Sequence, residues 1–291
     1  MKPPPFAYAA ARSVEEAVAA LATAGGEAKL LAGGQSLVPM LNFRLLRPAV
    51  LIDINRIPNL DHIREEAGGL VIGALTRHRQ IETSARIAKH FPVLTAAMGH
   101  VAHLAIRNRG TLGGSLSHAD PAAELPLMAQ LLEAEIRIAN GRGGRSVAAR
   151  DFFRAALTTA LADDEMVTEV VLPALPPGTG WGFEEMAERR GDFALAAAAV
   201  TVTVEDGFCR ACRIAVIGDG NGATRARDAE SAIAGGPKDA ARIAAAAEAA
   251  AGAVMPSSDL HASAEFRRHL IRSLTARALD AAWRRAEEAR T

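Results

Sequence analysis

The chain has 291 residues, with 33 Lys plus Arg against 33 Asp plus Glu, so its formal net charge is zero. Apolar residues make up 49%, charged residues 23% and aromatics 4%, a globular composition with material for about two domains. Balanced charge argues against nucleic acid or an anionic membrane as the main partner, and two cysteines fall short of an iron–sulfur cluster or a disulfide framework. The opening MKPPPFAYAA has no apolar signal core, and no run of about 20 strongly apolar residues follows, so a cytoplasmic protein without a membrane span is expected.

In chain order, Ser13 and Glu16 form a capping box for a helix carrying Val14, Ala17, Val18 and Leu21, stopped by Gly25 and Gly26. A short buried strand over 28–32 leads into Gly33-Gly34-Gln35-Ser36, and a second strand covers 50–54; residues 1–55 thus read as a βαβ-type unit. A strand over 69–75 is followed by Thr76 as cap of a helix over 77–90. Pro92 opens another helix, running to 105. The loop 107–115 precedes a helix over 121–132. Runs at 135–139 and 145–149 flank the turn 140–144 as a hairpin, and 169–172 is a strand. Pro176-Pro177-Gly178 marks a boundary, separating units 56–176 and 177–291. Beyond it, runs at 182–187, 196–204 and 209–217 predict a three-stranded antiparallel meander, and 225–234, 238–251 and 263–289 predict helices. The fold class is α+β.

Two stretches combine Gly-Gly with a small hydroxyl: Ala32-Gly33-Gly34-Gln35-Ser36 and Thr111-Leu112-Gly113-Gly114-Ser115. Glycines let a ligand approach the peptide N–H groups, and successive N–H groups make an anion nest. Together the two could cradle a diphosphate. Neither is a Walker loop, and Gly218-Asp-Gly220-Asn-Gly-Ala223, which formally fits a dinucleotide fingerprint, lacks the strand that should follow. Cys209 and Cys212 sit in a strand-like run, where positions three apart face opposite sides, so they read as unrelated thiols. His100 and His103, one helical turn apart, could share a metal but lack a third ligand; His118, Asp120 and Glu124 cluster after the second loop. No nucleophile elbow or catalytic carboxylate pair is present. The residues alone say that the chain binds a phosphorylated small molecule; they name no catalytic residue and no metal site.

The segment Lys29-Leu-Leu-Ala-Gly-Gly-Gln-Ser-Leu-Val-Pro-Met40 resembles the first FAD-binding loop of the flavin-carrying medium subunit of molybdenum hydroxylases, the carbon monoxide dehydrogenase and xanthine dehydrogenase family. Ile106-Arg-Asn-Arg-Gly-Thr-Leu-Gly-Gly-Ser115 with His118-Ala-Asp-Pro-Ala-Ala-Glu124 is similar to its second loop. Arg189 to Leu195 resembles the segment that sets a side chain near the flavin, and Asn221 to Glu230 resembles the family's C-terminal domain. The resemblance implies a two-part FAD-binding domain of the p-cresol methylhydroxylase and vanillyl-alcohol oxidase type, followed by a flavoprotein C-terminal domain with a three-stranded sheet and a helical bundle. It implies that Lys29, Leu30, Leu31, Ala32, Gly33, Gly34, Gln35 and Ser36, with Gly110, Thr111, Leu112, Gly113, Gly114 and Ser115, hold the FAD. Glu124 would face the adenosine ribose, and Val101 and Val167 would pack on the cofactor. Phe193 stands where one branch of the family has Tyr beside the isoalloxazine, and Glu184 where many relatives have Lys. The implied activity is electron transfer inside an oxidoreductase. A molybdopterin-containing large subunit oxidises the substrate, a small subunit with two 2Fe–2S clusters relays electrons, and two copies of each chain make a heterohexamer. A stand-alone FAD-dependent reductase of the same superfamily is the competing reading.

Overall fold

The computed structural model describes residues 2–218 and 220–289. The first unit consists of β1 (Ala7–Ala10), α1 (Val14–Ala24), β2 (Ala28–Leu31), α2 (Leu37–Asn42) and β3 (Val50–Asp53). Its sheet is parallel with order β1-β3-β2. The capping box forms: the Ser13 hydroxyl accepts from Glu16 N, and the Glu16 carboxylate accepts from Arg12 N at 2.7 Å. Gly25 ends α1 in the left-handed conformation. Ala17, Val18 and Leu21 bury that helix against Ile52, Ile54 and Met166. The sequence reading missed β1 and α2. Alanines and an exposed Tyr8 give β1 no apolar alternation, and α2 is a single short stretch containing Pro39.

The second unit runs through β4 (Ile63–Glu66), β5 (Gly69–Gly73), α3 (His78–Thr83), α4 (Ala85–His90), α5 (Pro92–Met98), α6 (Leu104–Arg107), α7 (Leu112–His118) and α8 (Glu124–Leu131). It continues with β6 (Glu135–Asn140), β7 (Gly143–Ala148), α9 (Ala149–Phe152), β8 (Phe153–Ala155), β9 (Thr158–Thr159) and β10 (Met166–Leu172). Its main sheet has order β4-β5-β10-β6-β7 with antiparallel neighbours. Three helix expectations are corrected. The helix over 77–90 breaks at Ser84, which ends α3 and caps α4 by accepting from Ile87 N. Its N-cap is Arg77 rather than Thr76, with the Gln80 side chain accepting from Arg77 N at 2.7 Å. The helix from Pro92 stops at Met98, so His100 and His103 lie outside it. The acidic β4, Ile-Arg-Glu-Glu, carries no apolar signature; its charges pair within the strand and across to β10 and β6, Arg64 with Glu66 and Glu169, and Arg137 with Glu66 and Glu169.

The third unit comprises β11 (Thr179–Ala187), β12 (Ala194–Glu205), β13 (Phe208–Ile217), β14 (Thr224–Arg225), α10 (Arg227–Ile233), α11 (Ala240–Gly252) and α12 (Ala264–Glu288). The expected three-stranded sheet is four-stranded, in the order β11-β12-β13-β14, because Thr224 and Arg225 pair with Val216 and Ala215. A two-residue strand is too short to leave a periodic signal. One face of this sheet packs under α12, where Gly180 and Gly182 leave room for the helix backbone: a β-carbon on either would overlap the carbonyl oxygens of Ala282 and Ala278. The other face buries Ala197, Ala199, Ala215 and Ile217 against α5 and α8 of the second unit. Register slips between Thr203 and Val204 of β12, leaving Arg210 bulged on β13. Cys209 and Cys212 therefore share a face, against the expectation that they diverge.

Candidate functional site

A cleft of about 1310 Å³ lies where the three units meet, larger than the roughly 300–1,000 Å³ of ordinary small-ligand pockets. Its walls carry Lys29, Leu30, Ala32, Gly33, Gly34, Gln35, Ser36, Val101, Gly110, Thr111, Gly113, Gly114, Ser115, Glu124, Val167 and Phe193. Leu31 and Leu112 do not line it. Leu31 faces the smaller groove behind the first loop, and Leu112 is buried in the core beneath α7.

The first loop, residues 32–36, hangs from the end of β2. Asn55, just past β3, shapes it: its amide donates to the carbonyls of Leu31 (3.2 Å) and Ala32 (2.8 Å). Asp53 orients Asn55 by accepting from its N–H and its side chain, and is itself held by the Tyr8 hydroxyl at 2.7 Å. Gly34 then takes φ +72°, which a side chain rarely adopts. Among the described residues, the N–H groups of Gly33, Gly34, Gln35 and Ser36 donate to nothing in the chain, and the Ser36 hydroxyl does not cap α2. This row of unused donors is an anion nest.

The second loop lies directly against the first. A β-carbon on Gly33 would overlap the Arg109 carbonyl oxygen and stand 2.9 Å from Gly110 Cα. Arg77 ties the two together, donating to Arg109 O at 2.5 Å and to Asn55 Oδ1 at 2.7 Å. The peptide donors of the second loop are differently used: Leu112 N goes to Thr76 O, Gly113 N to Ala74 O, Gly114 N to the Thr111 hydroxyl and Ser115 N to Thr111 O. What it leaves for a ligand is the Thr111 N–H and the Ser115 hydroxyl.

His78 lies on the cleft wall beneath this loop, 7% exposed. Its Nε2–H donates to Thr111 O at 3.0 Å, leaving Nδ1 buried without a partner. Burial pulls its pKa down to about 4, so the ring is neutral at pH 7. Glu124 opens α8 and is 8% exposed. Burial, then the charge of Glu185, pushes its carboxyl up to about 8, so it holds a proton at pH 7 and can donate as well as accept. Glu185 has Oε1 at 3.4 Å from His100 Nδ1 and Oε2 without a partner. Phe193, 73% exposed, stands at the cleft mouth, whereas Val101 and Val167 are buried wall residues. Glu184 is not on the cleft; it pairs with Arg277 of α12 at 2.7 Å. His103, His118 and Asp120 line the cleft, and His100 does not.

Sequence reasoning missed Asn55, Arg77 and His78, which contact the loops rather than belong to them. It also missed Asp259 and His261, which reach the cleft from the segment before α12, and Arg267, which reaches it from the first turn of α12. Arg267 is clamped there by Asp259 (2.6 Å) and Leu195 O (2.8 Å), and His261 by Glu188 (2.9 Å). The dinucleotide lookalike contributes Gly218 and Gly220 to the cleft; its Asp219 lies outside the described residues.

Residues 4–175 match the family described as FAD binding domain in molybdopterin dehydrogenase, and residues 181–282 the CO dehydrogenase flavoprotein C-terminal domain. The chain is 44% identical over 287 residues to the 6-hydroxypseudooxynicotine dehydrogenase complex subunit alpha of Paenarthrobacter nicotinovorans, covering 98% of this chain and 97% of that one. It is 38% identical to the carbon monoxide dehydrogenase medium chain of Hydrogenophaga pseudoflava, covering 98% and 99%. A solved structure of carbon monoxide dehydrogenase from Hydrogenophaga pseudoflava superposes with a TM-score of 0.96 at 40% identity, covering 98% of this chain and 99% of that one. Quinoline 2-oxidoreductase from Pseudomonas putida 86 superposes with a TM-score of 0.93 at 40% identity, covering 98% and 99%. A cleft walled by two touching glycine loops, in a chain alike from end to end, has one reading: this protein belongs to the family of FAD-binding medium subunits of molybdenum hydroxylases, carbon monoxide dehydrogenase among them.

Proposed function

We propose that this chain carries FAD as the electron-transfer subunit of a molybdenum-dependent dehydrogenase complex. The observation that carries the reading is the row of unpaired N–H groups at Gly33 to Ser36, held against the second loop by Arg77. The site fits a flavin dinucleotide. The nest and the Ser36 and Ser115 hydroxyls would take the diphosphate, and Lys29 at the rim adds positive charge. Glu124 would meet the adenosine ribose, Val101 and Val167 would exclude water along the apolar wall, and Phe193 would flank the isoalloxazine. Bound FAD supplies a two-electron store that can be filled and emptied one electron at a time. The chain's own residues would bind and orient it.

The finer architecture belongs to the same proposal: FAD-binding parts over 1–55 and 56–176, of the p-cresol methylhydroxylase and vanillyl-alcohol oxidase type, and a C-terminal domain over 177–291. The separate sheets of the three stretches support it. The partners would be a molybdopterin-containing large subunit and a small subunit with two 2Fe–2S clusters, two copies of each, in the cytoplasm. No helix of the described residues is long and apolar enough to cross a membrane. The test is purification of the chain alone and with those partners. A yellow protein that releases equimolar FAD on denaturation, and oxidises substrate only once both partners are added, supports the proposal. A chain that takes up no FAD overturns it, and turnover with NADPH in isolation replaces it with a stand-alone reductase.

A further inference from the structure

The C-x-x-C pair of β13 takes no part in the cleft. Both thiols are free. In a regular strand they would face opposite sides, but the bulge changes that: Cys212 lies opposite Val202, Ala211 opposite Thr203 and Cys209 opposite Val204. Val202 and Val204 point to one face, so both cysteines do too, into the apolar cluster beneath α10, α11 and α12. Two same-face neighbours on a strand are about 6.6 Å apart, inside the roughly 4.4–6.8 Å that a disulfide tolerates between Cα atoms. The two side chains lie close enough to shift each other's ionisation. Cys209 is 1% exposed and pinned on its backbone, with Cys209 N donating to Gly236 O at 2.8 Å and Gly235 N to Cys209 O at 2.9 Å. Cys212 is half-buried.

We infer that Cys209 and Cys212 form a reversible dithiol–disulfide site, oxidised by small hydroperoxides. The neighbouring Cys212 thiol lowers the Cys209 pKa, and the proximity of Cys209 raises that of Cys212, which burial raises further, so Cys209 ionises first. Its thiolate attacks the terminal peroxide oxygen. An S–O bond forms, the O–O bond breaks, and the alcohol or water leaves with a proton. The Cys212 sulfur then displaces the sulfenic oxygen as water, forming the S–S bond. In sum, two thiols and one hydroperoxide give a disulfide, an alcohol or water, and one water; two electrons pass from sulfur to the peroxide. The site is remote from the cleft: the six residues from Cys212 to Gly218 span about 20 Å of strand. Because the closed ring is short, the disulfide constrains the unfolded chain little and leaves stability nearly unchanged.

The test uses the full chain, reduced, desalted and treated with a slight molar excess of hydrogen peroxide. The peptide holding both cysteines is expected to lose two hydrogens in mass and both alkylatable thiols, to regain them with dithiothreitol, and to leave FAD content unchanged. Cys212→Ser should instead trap a sulfenic acid at Cys209, labelled by dimedone, and Cys209→Ser should react at least about tenfold more slowly. Wild-type protein that keeps both thiols, or gains oxygen on either sulfur without losing the two hydrogens, overturns the inference. That readout needs no variant, and it does not depend on the flavin assignment.

Discussion

Position 33 admits no β-carbon, because the Arg109 carbonyl and Gly110 Cα already fill the space and neither can swing aside. Gly33→Val must part the two loops, and FAD retained through gel filtration, read by flavin absorbance, should fall at least about tenfold, the effect of roughly 1–3 kcal/mol of overpacking. Gly34 resists substitution for another reason: its φ of +72°, with Val38 and Leu31 rather than the cleft beside its missing β-carbon. At Glu124, burial followed by the Glu185 charge raises the carboxyl from 4.5 to about 8. The folded state holds that proton more tightly than the unfolded state does. The contribution to stability is therefore complete below 4.5 and is lost as pH rises through about 8. Glu124→Gln should flatten the decline of the urea midpoint of the FAD-free protein over that window; parallel curves for the two proteins would refute the assignment. His78 has the opposite sign. Its pKa falls from 6.5 to about 4, so its contribution is present above 6.5 and is lost as pH drops through about 4.

Among elements, the join between β3, the start of α3 and the second loop runs through one side chain. Arg77→Met removes both of its hydrogen bonds and leaves Asn55 Oδ1 and Arg109 O to find other donors, at about 1–3 kcal/mol. The expected result is weaker FAD binding in a fluorescence titration, by about tenfold or more, with Arg77→Lys recovering part of it. Equal affinity of all three proteins would show that the tie does not set the loops. In the C-terminal sheet, Gly182→Ala drives a methyl into the Ala278 carbonyl and should separate α12 from β11. A loss of roughly 1–3 kcal/mol is expected in thermal or urea unfolding, without a change in the FAD affinity of the protein that remains folded.

At the scale of the whole molecule, the cleft has walls from all three units, so a ligand bound there holds them together. FAD should raise the melting temperature of the FAD-free protein progressively with concentration, by the equivalent of about 2.7 kcal/mol at a hundredfold excess over Kd. A melting temperature indifferent to FAD would place the cofactor elsewhere. The relatives over nearly the whole chain are named as parts of dehydrogenase complexes.

The sequence by itself determined what depends on neighbours along the chain. The Ser13–Glu16 cap with the buried stripe of α1, the three long strands of the C-terminal sheet, and the two Gly-Gly motifs could be read because capping, alternation and loop chemistry are written within a few residues. Only the tertiary structure decided the rest. The paired edges β1, β4 and β14 carry too little apolar pattern to announce themselves, and find partners through backbone hydrogen bonds that any residue supplies. The same holds for the contact between the two loops, the arginine that ties them, the bulge that turns Cys209 toward Cys212, and the burial that leaves Glu124 protonated and His78 neutral. Each depends on atoms brought together from distant parts of the chain, and desolvation and steric exclusion act on distance in space, which residue spacing does not encode.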